Sequence, residues 1–423
     1  MTLAITRPET KPQPTVGGGN CRACGALLTH QLVDLGMSPL CESYLDGTQL
    51  NAMEPFYPLA VYVCDQCLLA QLQQYVSADE IFTEYAYFSS YSDSWVQHAK
   101  DYTEMIADRL RLGPASFVVE LASNDGYLLQ HFVANAIPCL GIEPAVNVAK
   151  VAVGKGVPTL TEFFGVQCAQ ELAAGGALAD LIIGNNVLAQ VPDLHDFLGG
   201  VAILLAPGGT VTMEFPHLLK LMEENQFDTI YHEHFSYFSL LAVERLFERH
   251  GMRIVDVEQL TTHGGSLRIY AQHAGQAEPS AAVTSLRETE LAAGLDGMAA
   301  YSQFKSQVER TKREIVRALS DLKAAGKTVA GYGAPGKGNT LLNYCGIRTD
   351  FIDYTVDRNP YKQGKFLPGT HIPVYGPERL AETRPDYIFI LPWNIRGEIV
   401  RQLAYAREWG CKFIVPIPKV EVL

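Results

Sequence analysis

The chain has 423 residues, of which 48% are hydrophobic and 19% charged, and its formal net charge is −13. This length and balance predict a soluble globular protein of two or three domains, with enough core to need no disulfides. The acidic balance argues against a nucleic-acid or anionic-membrane partner, and no apolar run approaches the roughly 18 residues of a membrane span.

Residues 1–20 lack the apolar segment of a signal peptide, and we expect them to form a disordered leader. The chain contains nine cysteines. An odd total in a chain without an export signal argues against a disulfide framework. Both features predict a cytoplasmic protein.

Four of the cysteines stand in two CxxC pairs, Cys21 with Cys24 and Cys64 with Cys67. Each pair places two thiolates on one turn, and two such turns close the tetrahedron of a structural zinc site. A redox CxxC is the alternative, although it would need only one pair. We interpret residues 21–78 as a zinc-binding module. The other cysteines are expected to take no part in the chemistry: Cys41, which is the one rival ligand, and Cys139, Cys168, Cys345 and Cys411.

The remainder of the chain alternates between helices and buried strands. The segment Trp95–Leu112 has apolar residues at helical spacing. The strand-like runs that follow are FVVELA, PCLGIEP, DLIIGNNV and GGTVTMEFP, which predict βαβ units and a parallel sheet in residues 79–282. Residues 283–327 have the composition of a connecting helical segment. A second series in residues 328–423, with TVAGYG, FIDYTVD, YIFILPW and KFIVPIP, predicts a second α/β domain.

The first strand of the central domain ends in the loop ELASNDG, residues 120–126. A small, polar loop with a glycine lets a ligand approach the backbone and the next helix closely. It is not a GxGxxG, which argues against a dinucleotide. Glu143 ends the next strand, where an acidic side chain can hold a ribose diol. This order of motifs resembles the S-adenosylmethionine-dependent methyltransferase fold. The residues predicted to bind that cofactor are Glu120, Ser123, Asn124, Gly126, Glu143, Asn186 and Gln190.

The segment Tyr231-His232-Glu233-His234 places a phenol, two imidazoles and a carboxylate in four positions. Such a run can supply a general base near neutral pH with a carboxylate to orient it. A polar surface patch and a metal site are the alternatives, but HExxH spacing is absent and no nearby carboxylates complete a metal site. We therefore favour acid/base chemistry.

The segment GYGAPG, residues 331–336, is a formal GxGxxG after a strand, and Asp357 ends the next strand. By itself this pattern predicts a nucleotide pyrophosphate at a helix N-terminus, so an NAD-dependent oxidoreductase acting on a nucleotide sugar is an alternative. Pro335 and the following Lys337 favour a single diphosphate over a dinucleotide.

Taken together, these segments resemble the sugar C-methyltransferases that act on nucleotide-linked 4-keto-6-deoxy sugars in antibiotic biosynthesis, such as the C-3 methyltransferases. The resemblance covers nearly everything from Cys21 to the C-terminus. It rests on the motifs CRACG, CDQC, EYAYFSSYS, ELASNDGYLL, IYHEHFSYFS, THGGSLR and GYGAPGKGNTLLNYCG.

The resemblance implies an α/β protein with a small N-terminal zinc-binding module, a central Rossmann-like class I methyltransferase domain and a C-terminal Rossmann-like domain. The active site would lie between the last two. It implies S-adenosylmethionine and structural zinc as cofactors, a dTDP-linked sugar as substrate, and a monomer. The residues implied to be catalytic are Tyr85, Tyr231, Glu233 and His234. The residues expected to bind the nucleotide sugar are Arg268, Gly333, Lys337, Asn339, Asp357, Lys362, Trp393 and Asn394.

One departure from the family concerns the segment NVLAQVPD, where relatives carry a histidine at the position of Gln190. Glutamine can form hydrogen bonds but cannot titrate. We therefore expect His234 to remove the proton at C-3, with Glu233 and Tyr231 orienting groups or stabilising the enolate. Gln190 would lie near the methyl donor.

Overall fold

The computed structural model describes residues 18–77, 88–91 and 93–423. Most of the predicted leader, and the predicted catalytic Tyr85, lie outside these described residues. The leader does not extend to residue 20, because Asn20 forms a β-bridge with Leu27. No helix within the described ranges is long and apolar enough to cross a membrane.

The N-terminal module contributes three antiparallel strands: β1 (His30–Ser38), β2 (Tyr57–Val63) and β3 (Ala70–Leu72). Buried residues alternate with half-buried ones along much of β2, as expected of a strand with one face on a core. One cysteine pair precedes β1, and the other occupies the connection between β2 and β3.

The central domain follows the predicted alternation of strands and helices. Its elements are α1 (Asp93–Leu110), β4 (Val118–Leu121), α2 (Leu129–Ala134), β5 (Cys139–Ile142), α3 (Val146–Gly154), β6 (Thr159–Leu160), α4 (Val166–Ala174), β7 (Ala179–Asn185), α5 (Leu194–Leu204), β8 (Leu205–Pro216), α6 (Leu218–Glu223), β9 (Ser236–Tyr237), α7 (Leu240–Glu248), β10 (Met252–Leu260) and β11 (Ser266–His273). All four residues of β4 are buried, as expected for a strand covered on both faces.

Seven of these strands form one sheet in the order β10-β11-β8-β7-β4-β5-β6. Neighbours from β8 to β6 run parallel, whereas β11 is antiparallel to both β8 and β10. The chain runs outward from β4 to β6 and returns to the other side of β4 as β7. In open parallel sheets, ligands bind at the carboxyl ends of the strands at such a reversal.

Two helices, α8 (Ala281–Ala292) and α9 (Met298–Ala324), occupy the segment with helix-forming composition. The buried residues of α9 recur every three or four positions, which is the spacing of one apolar stripe. They are Tyr301, Phe304, Val308, Thr311, Ile315 and Leu319. Most of this stripe lies in a single core with the N-terminal sheet and the C-terminal domain.

The C-terminal domain is the predicted second α/β unit. Its elements are β12 (Val329–Tyr332), α10 (Gly336–Cys345), β13 (Thr355–Val356), β14 (Val374–Tyr375), α11 (Arg379–Thr383), β15 (Tyr387–Ile390), α12 (Arg396–Gln402), β16 (Lys412–Val415) and β17 (Glu421–Val422). The sheet order is β14-β13-β12-β15-β16-β17, and only the β16–β17 pair is antiparallel among these described strands.

The N-terminal module is built into both of its neighbours. Strand β3 pairs with β9 of the central domain, with Ala70 opposite Tyr237. The loop after β1 reaches the C-terminal domain, where Leu45 forms a β-bridge with Phe366. The three parts of the chain therefore meet around one space, which contains the candidate site.

Candidate active site

A cavity of about 570 Å³ lies where the three parts meet. The central domain contributes the loops after β4, β5 and β7 and the segment that precedes β9. The C-terminal domain contributes the start of α10 and the loop after β15, and the N-terminal module contributes Cys41 and Glu42. The cavity thus occupies the carboxyl ends of the central strands, at the reversal of strand order.

One end of the cavity is formed by the loop after β4. Ala122, Asn124 and Gly126 all have positive φ angles, of 54°, 50° and 74°. Only glycine adopts such angles at little cost, so this backbone is held by its surroundings. The buried carboxylate of Glu143 accepts hydrogen bonds from the backbone N–H groups of Asn124 and Ala145, both at 2.8 Å. These bonds fix Glu143 in the cavity wall.

The acidic side chain in the wall at this end suits a nucleoside. Glu143 lines the cavity, and its carboxylate would accept hydrogen bonds from a ribose diol. Behind it, burial raises the pKa of Glu120, and the neighbouring carboxylates of Glu143 and Asp125 raise it further. The residues present therefore fit S-adenosylmethionine.

The structure divides the residues predicted to bind this cofactor into two groups. Asn124, Glu143, Asn186 and Gln190 line the cavity. Glu120, Ser123 and Gly126 do not line it, and all three are buried. A Cβ on Gly126 would lie 3.0 Å from Val157 Cγ2, so this glycine also serves close packing of the loop.

The Tyr231–His234 segment brings three predicted catalytic side chains to the cavity: Tyr231, Glu233 and His234. Nδ1 of the His234 ring lies 3.1 Å from the backbone oxygen of Thr229. A carbonyl oxygen can only accept, so Nδ1 carries the proton and Nε2 presents its lone pair. The Tyr231 ring packs on this imidazole with a centroid distance of 4.1 Å.

His234 is held in its neutral form. Burial lowers its pKa to about 4, and the charges of His263 and Lys337 act in the same direction, against the hydrogen bond to Thr229. At neutral pH the imidazole is therefore ready to accept a proton.

His232 has a different environment from His234, two residues away. Its Nε2 lies 3.2 Å from the backbone oxygen of Pro58, and its ring meets Tyr57 edge to face. It thus ties the segment to β2. Within the described ranges, the one cluster with metal-binding geometry is that of the four cysteines, so nothing supports a metal at the two histidines.

Sequence reasoning missed His263, which lines the cavity from the turn between β10 and β11. Its Nε2 accepts from Asn186 Nδ2 at 3.3 Å, and its ring packs on Trp95. Burial lowers its pKa to about 4. The sequence indication was the pattern THGG, in which two glycines after His263 predict a tight turn. The structure has such a turn, with a φ of 54° at His263.

Cys41, which was expected to take no part in the chemistry, lies in the cavity wall with its Sγ 3.6 Å from Glu233 Oε1. The neighbouring Glu42 also lines the cavity and pairs with Lys362 at 3.3 Å. A loop that reaches across two domains has no periodic pattern, so the sequence contained no indication of this placement.

Among the residues predicted to bind the sugar nucleotide, Lys337, Lys362 and Asn394 line the cavity. Lys337 Nζ donates to Asn394 Oδ1 at 2.9 Å and lies 5.0 Å above the Trp393 ring. Trp393 itself lies behind the wall and donates from Nε1 to buried Asp228 Oδ2 at 2.6 Å. These contacts fix the position of the ammonium group.

Arg268, which was predicted to bind the sugar nucleotide, is not among the residues that line the cavity. Its guanidinium is 4% exposed and pairs with Glu214 and Glu258, each at 2.9 Å. Strand β11 lies inside the sheet, so the buried charge requires paired carboxylates.

Gly333, Asn339 and Asp357 also lie outside the cavity wall. Asp357 accepts from the backbone N–H of Ala334 at 2.7 Å and of Asn359 at 2.8 Å. Its carboxylate therefore holds the chain's own GYGAPG loop.

The three glycines of GYGAPG are explained by packing. A Cβ on Gly331, Gly333 or Gly336 would approach within 2.8 Å of other atoms, namely Thr355 Oγ1, Pro392 Cδ and Cys41 Sγ respectively. The Tyr44 hydroxyl and Lys362 both donate to the backbone oxygen of Ala334 in this loop. The chain itself thus fills the space beside these glycines, while Pro335 and Gly336 form part of the cavity wall.

The four-cysteine cluster fits zinc. Cys21 and Cys67 bring their Sγ atoms to 3.4 Å, as do Cys24 and Cys64, and all four sulfurs lie within 4.8 Å of one another. A tetrahedral zinc with thiolates at about 2.3 Å separates its sulfurs by about 3.8 Å. Gln71 Nε2 also donates to Cys21 Sγ at 3.1 Å, as a neighbour of a metal-bound thiolate does.

Comparison with known proteins identifies three family matches in chain order. Residues 21–82 match a putative zinc binding domain, residues 96–257 a methyltransferase domain, and residues 261–418 a C-methyltransferase C-terminal domain. The chain is 39% identical over 404 residues to the C-methyltransferase NovU of Streptomyces niveus, covering 95% of this chain and 96% of that protein.

Solved structures are more distant. An S-adenosylmethionine-dependent methyltransferase from Clostridium acetobutylicum is 11% identical over 43% of this chain and 92% of its own, with a TM-score of 0.34. Magnesium protoporphyrin IX methyltransferase from Synechocystis is 14% identical over 43% of this chain and 82% of its own, with a TM-score of 0.32. The assignment rests instead on the family matches and the near full-length relative: the chain belongs to the S-adenosylmethionine-dependent C-methyltransferases that carry a zinc-binding N-terminal module.

Proposed function

We propose that this enzyme methylates C-3 of a dTDP-linked 4-keto-6-deoxy sugar through an enolate, in deoxysugar biosynthesis for an antibiotic. The observation that carries the proposal is the neutral imidazole of His234, held by Thr229 with Nε2 available, in the same cavity as Glu143 at the donor end. A base and a methyl donor in one enclosed space are what methylation of an activated carbon requires.

The chemistry follows from the acidity of a carbon next to a ketone. His234 Nε2 removes the proton from C-3, and the electron pair of the C–H bond moves to the ketone oxygen. S-adenosylmethionine, which Asn124 and Glu143 would hold at the other end of the cavity, would supply an electrophilic methyl group and would leave with the electron pair of its methyl–sulfur bond when the enolate carbon takes the methyl.

The enolate oxygen requires hydrogen-bond donors that are in position before the proton leaves. Tyr231 and Lys337 are donors in the wall of the same cavity. Lys337 is restrained by Asn394 and by the Trp393 ring, so its charge requires little reorganisation. With a net charge of −13, the protein also depends on local cations such as Lys362 to meet a diphosphate.

The proposal is tested by separating proton removal from methyl transfer. The enzyme with S-adenosylhomocysteine in D₂O is expected to exchange deuterium into C-3 of a dTDP-4-keto-6-deoxy sugar, followed by NMR. With labelled S-adenosylmethionine, label enters only 4-keto acceptors. His234→Asn loses both reactions by at least about 100-fold, because general-base catalysis contributes that much.

His232→Asn is the matched control, since it makes the same change at an imidazole that faces Pro58. It is expected to retain both exchange and transfer. Exchange and transfer that survive in His234→Asn would contradict the role of His234. Transfer to none of a panel of nucleotide-linked 4-keto sugars would contradict the substrate class.

A further inference from the structure

The loop Leu40–Tyr44, which follows β1, carries the zinc-binding module into the cavity. Three contacts hold it on the C-terminal domain: Asn339 Nδ2 donates to the backbone oxygen of Cys41, Lys362 pairs with Glu42 at 3.3 Å, and the Tyr44 hydroxyl donates to the backbone oxygen of Ala334. The loop therefore lies between the GYGAPG segment on one side and the Tyr231–His234 segment on the other.

The Cys41 side chain points from this loop to Glu233. It is 3% exposed, and its Sγ lies 3.6 Å from Glu233 Oε1, within hydrogen-bond range for sulfur. On its other side is Gly336, the first residue of α10, where a Cβ would lie only 2.8 Å from this sulfur. The absence of a side chain at Gly336 leaves room for the thiol, so packing on both sides restricts where Cys41 can point.

The thiol is protonated and therefore a donor. Burial raises the pKa of Cys41, and the carboxylates of Glu233 and Glu42 raise it further, against the charge of Lys362. A carboxylate can only accept, so the bond runs from S–H to Glu233 Oε1. Bonds with an ionised acceptor are stronger and more directional than neutral ones.

We propose that Cys41 is a positioning residue: its thiol holds the Glu233 carboxylate in one orientation in the cavity wall, in the same cavity as the proposed base His234. This inference rests on the proposed function of the site and on the catalytic role that the resemblance implies for Glu233. It also gives the zinc-binding module a direct part in the reaction, since the module supplies the loop that carries the thiol.

The test compares Cys41→Ala, which removes the donor, with Cys41→Ser, which keeps one. We expect Cys41→Ala to lower kcat by about 10-fold with KM for the acceptor little changed, because a charged hydrogen bond is lost. Cys41→Ser should recover most of kcat.

Two further variants distinguish positioning from a structural role. Cys345→Ala removes another buried thiol, outside the cavity, and is expected to leave kcat unchanged. In a Glu233→Gln background, Cys41→Ala should cause little additional loss, because the two residues act as one unit. The thermal midpoint of each variant, measured with and without bound S-adenosylmethionine, reports whether the fold is retained.

The outcomes separate this inference from the proposed function. If Glu233→Gln lowers kcat while Cys41→Ala matches the wild type in kcat, the positioning role is wrong. It is also wrong if Cys41→Ala and Glu233→Gln lower kcat additively and serine gives no recovery. If Glu233→Gln itself retains full activity, the proposed role of Glu233 fails first.

Discussion

At the scale of single residues, one backbone oxygen decides which nitrogen of the His234 imidazole carries the proton. The oxygen of Thr229 fixes the protonated nitrogen of His234, and burial keeps the ring neutral. His232 differs from it only in position, yet its ring binds Pro58 and takes no part in the cavity. The same residue type thus lines the cavity at one position and faces a backbone oxygen of β2 two positions earlier.

The lowered pKa of His234 predicts an unusual pH dependence. Its folded value of about 4 lies below the ordinary 6.5, so the neutral form persists as the pH falls. Deuterium exchange at the sugar carbon should remain nearly constant from pH 8 to 5 and decline only near pH 4. A base at the ordinary value would be about 30-fold slower at pH 5 than at pH 8, and that result would contradict the assignment.

At the scale of elements, the buried carboxylate of Glu290 on α8 connects this helix to the central domain. The carboxylate of Glu290 accepts from the backbone N–H groups of Leu240 and Leu241, at 2.6 and 2.9 Å, and lies 2.7 Å from His217 Nε2. Leu240 begins α7, so the carboxylate satisfies free N–H groups and opposes the positive end of the helix dipole.

Glu290→Gln is expected to destabilise the protein by about 2 kcal/mol, because one charged acceptor is lost and an amide N–H₂ faces other donors. The thermal midpoint measures this loss. Glu288→Gln makes the same change on the exposed face of α8 and should leave the midpoint unaltered. Equal thermal midpoints for the two variants would show that the buried carboxylate of Glu290 contributes nothing to the stability of the fold.

At the scale of the whole molecule, the zinc-binding module connects the two larger domains. It pairs with β9, directly after the Tyr231–His234 segment, and it sends Cys41 and Glu42 into the cavity. The donor end, with Asn124 and Glu143, belongs to the central domain, where the Asn124 N–H donates to Glu143. Loss of the metal should therefore affect the two ends of the site unequally.

Removal of zinc by a chelator is expected to lower the thermal midpoint by several degrees and methyl transfer by at least about 10-fold. The Kd for S-adenosylmethionine, from calorimetry, should change much less. Zinc analysis of the purified protein should give one ion per chain, and added Zn²⁺ but not Mg²⁺ should restore transfer. An apoprotein with full activity and an unchanged midpoint would contradict this role.

Much of the architecture was predictable because it is periodic or local. Runs of buried residues predicted β4, β7 and β12, and helical spacing predicted α1. The two CxxC pairs predicted the sulfur cluster, since each turn brings its own thiolates together. Tyr231, Glu233 and His234 could be predicted to share one cavity because they lie within four positions of the chain.

What the sequence by itself determined is the set of elements, the metal ligands and the family, all of which depend on neighbours along the chain. Only the tertiary structure decided which side chains share the cavity. Cys41 and Glu233 are separated by 192 residues and meet because β3 pairs with β9 and the Cys41 loop crosses to α10. Conversely, Arg268 lies in a conspicuous motif but is buried against Glu214, because its strand is interior. Contacts between distant segments depend on how sheets and loops pack, and a single sequence does not encode them in any local pattern.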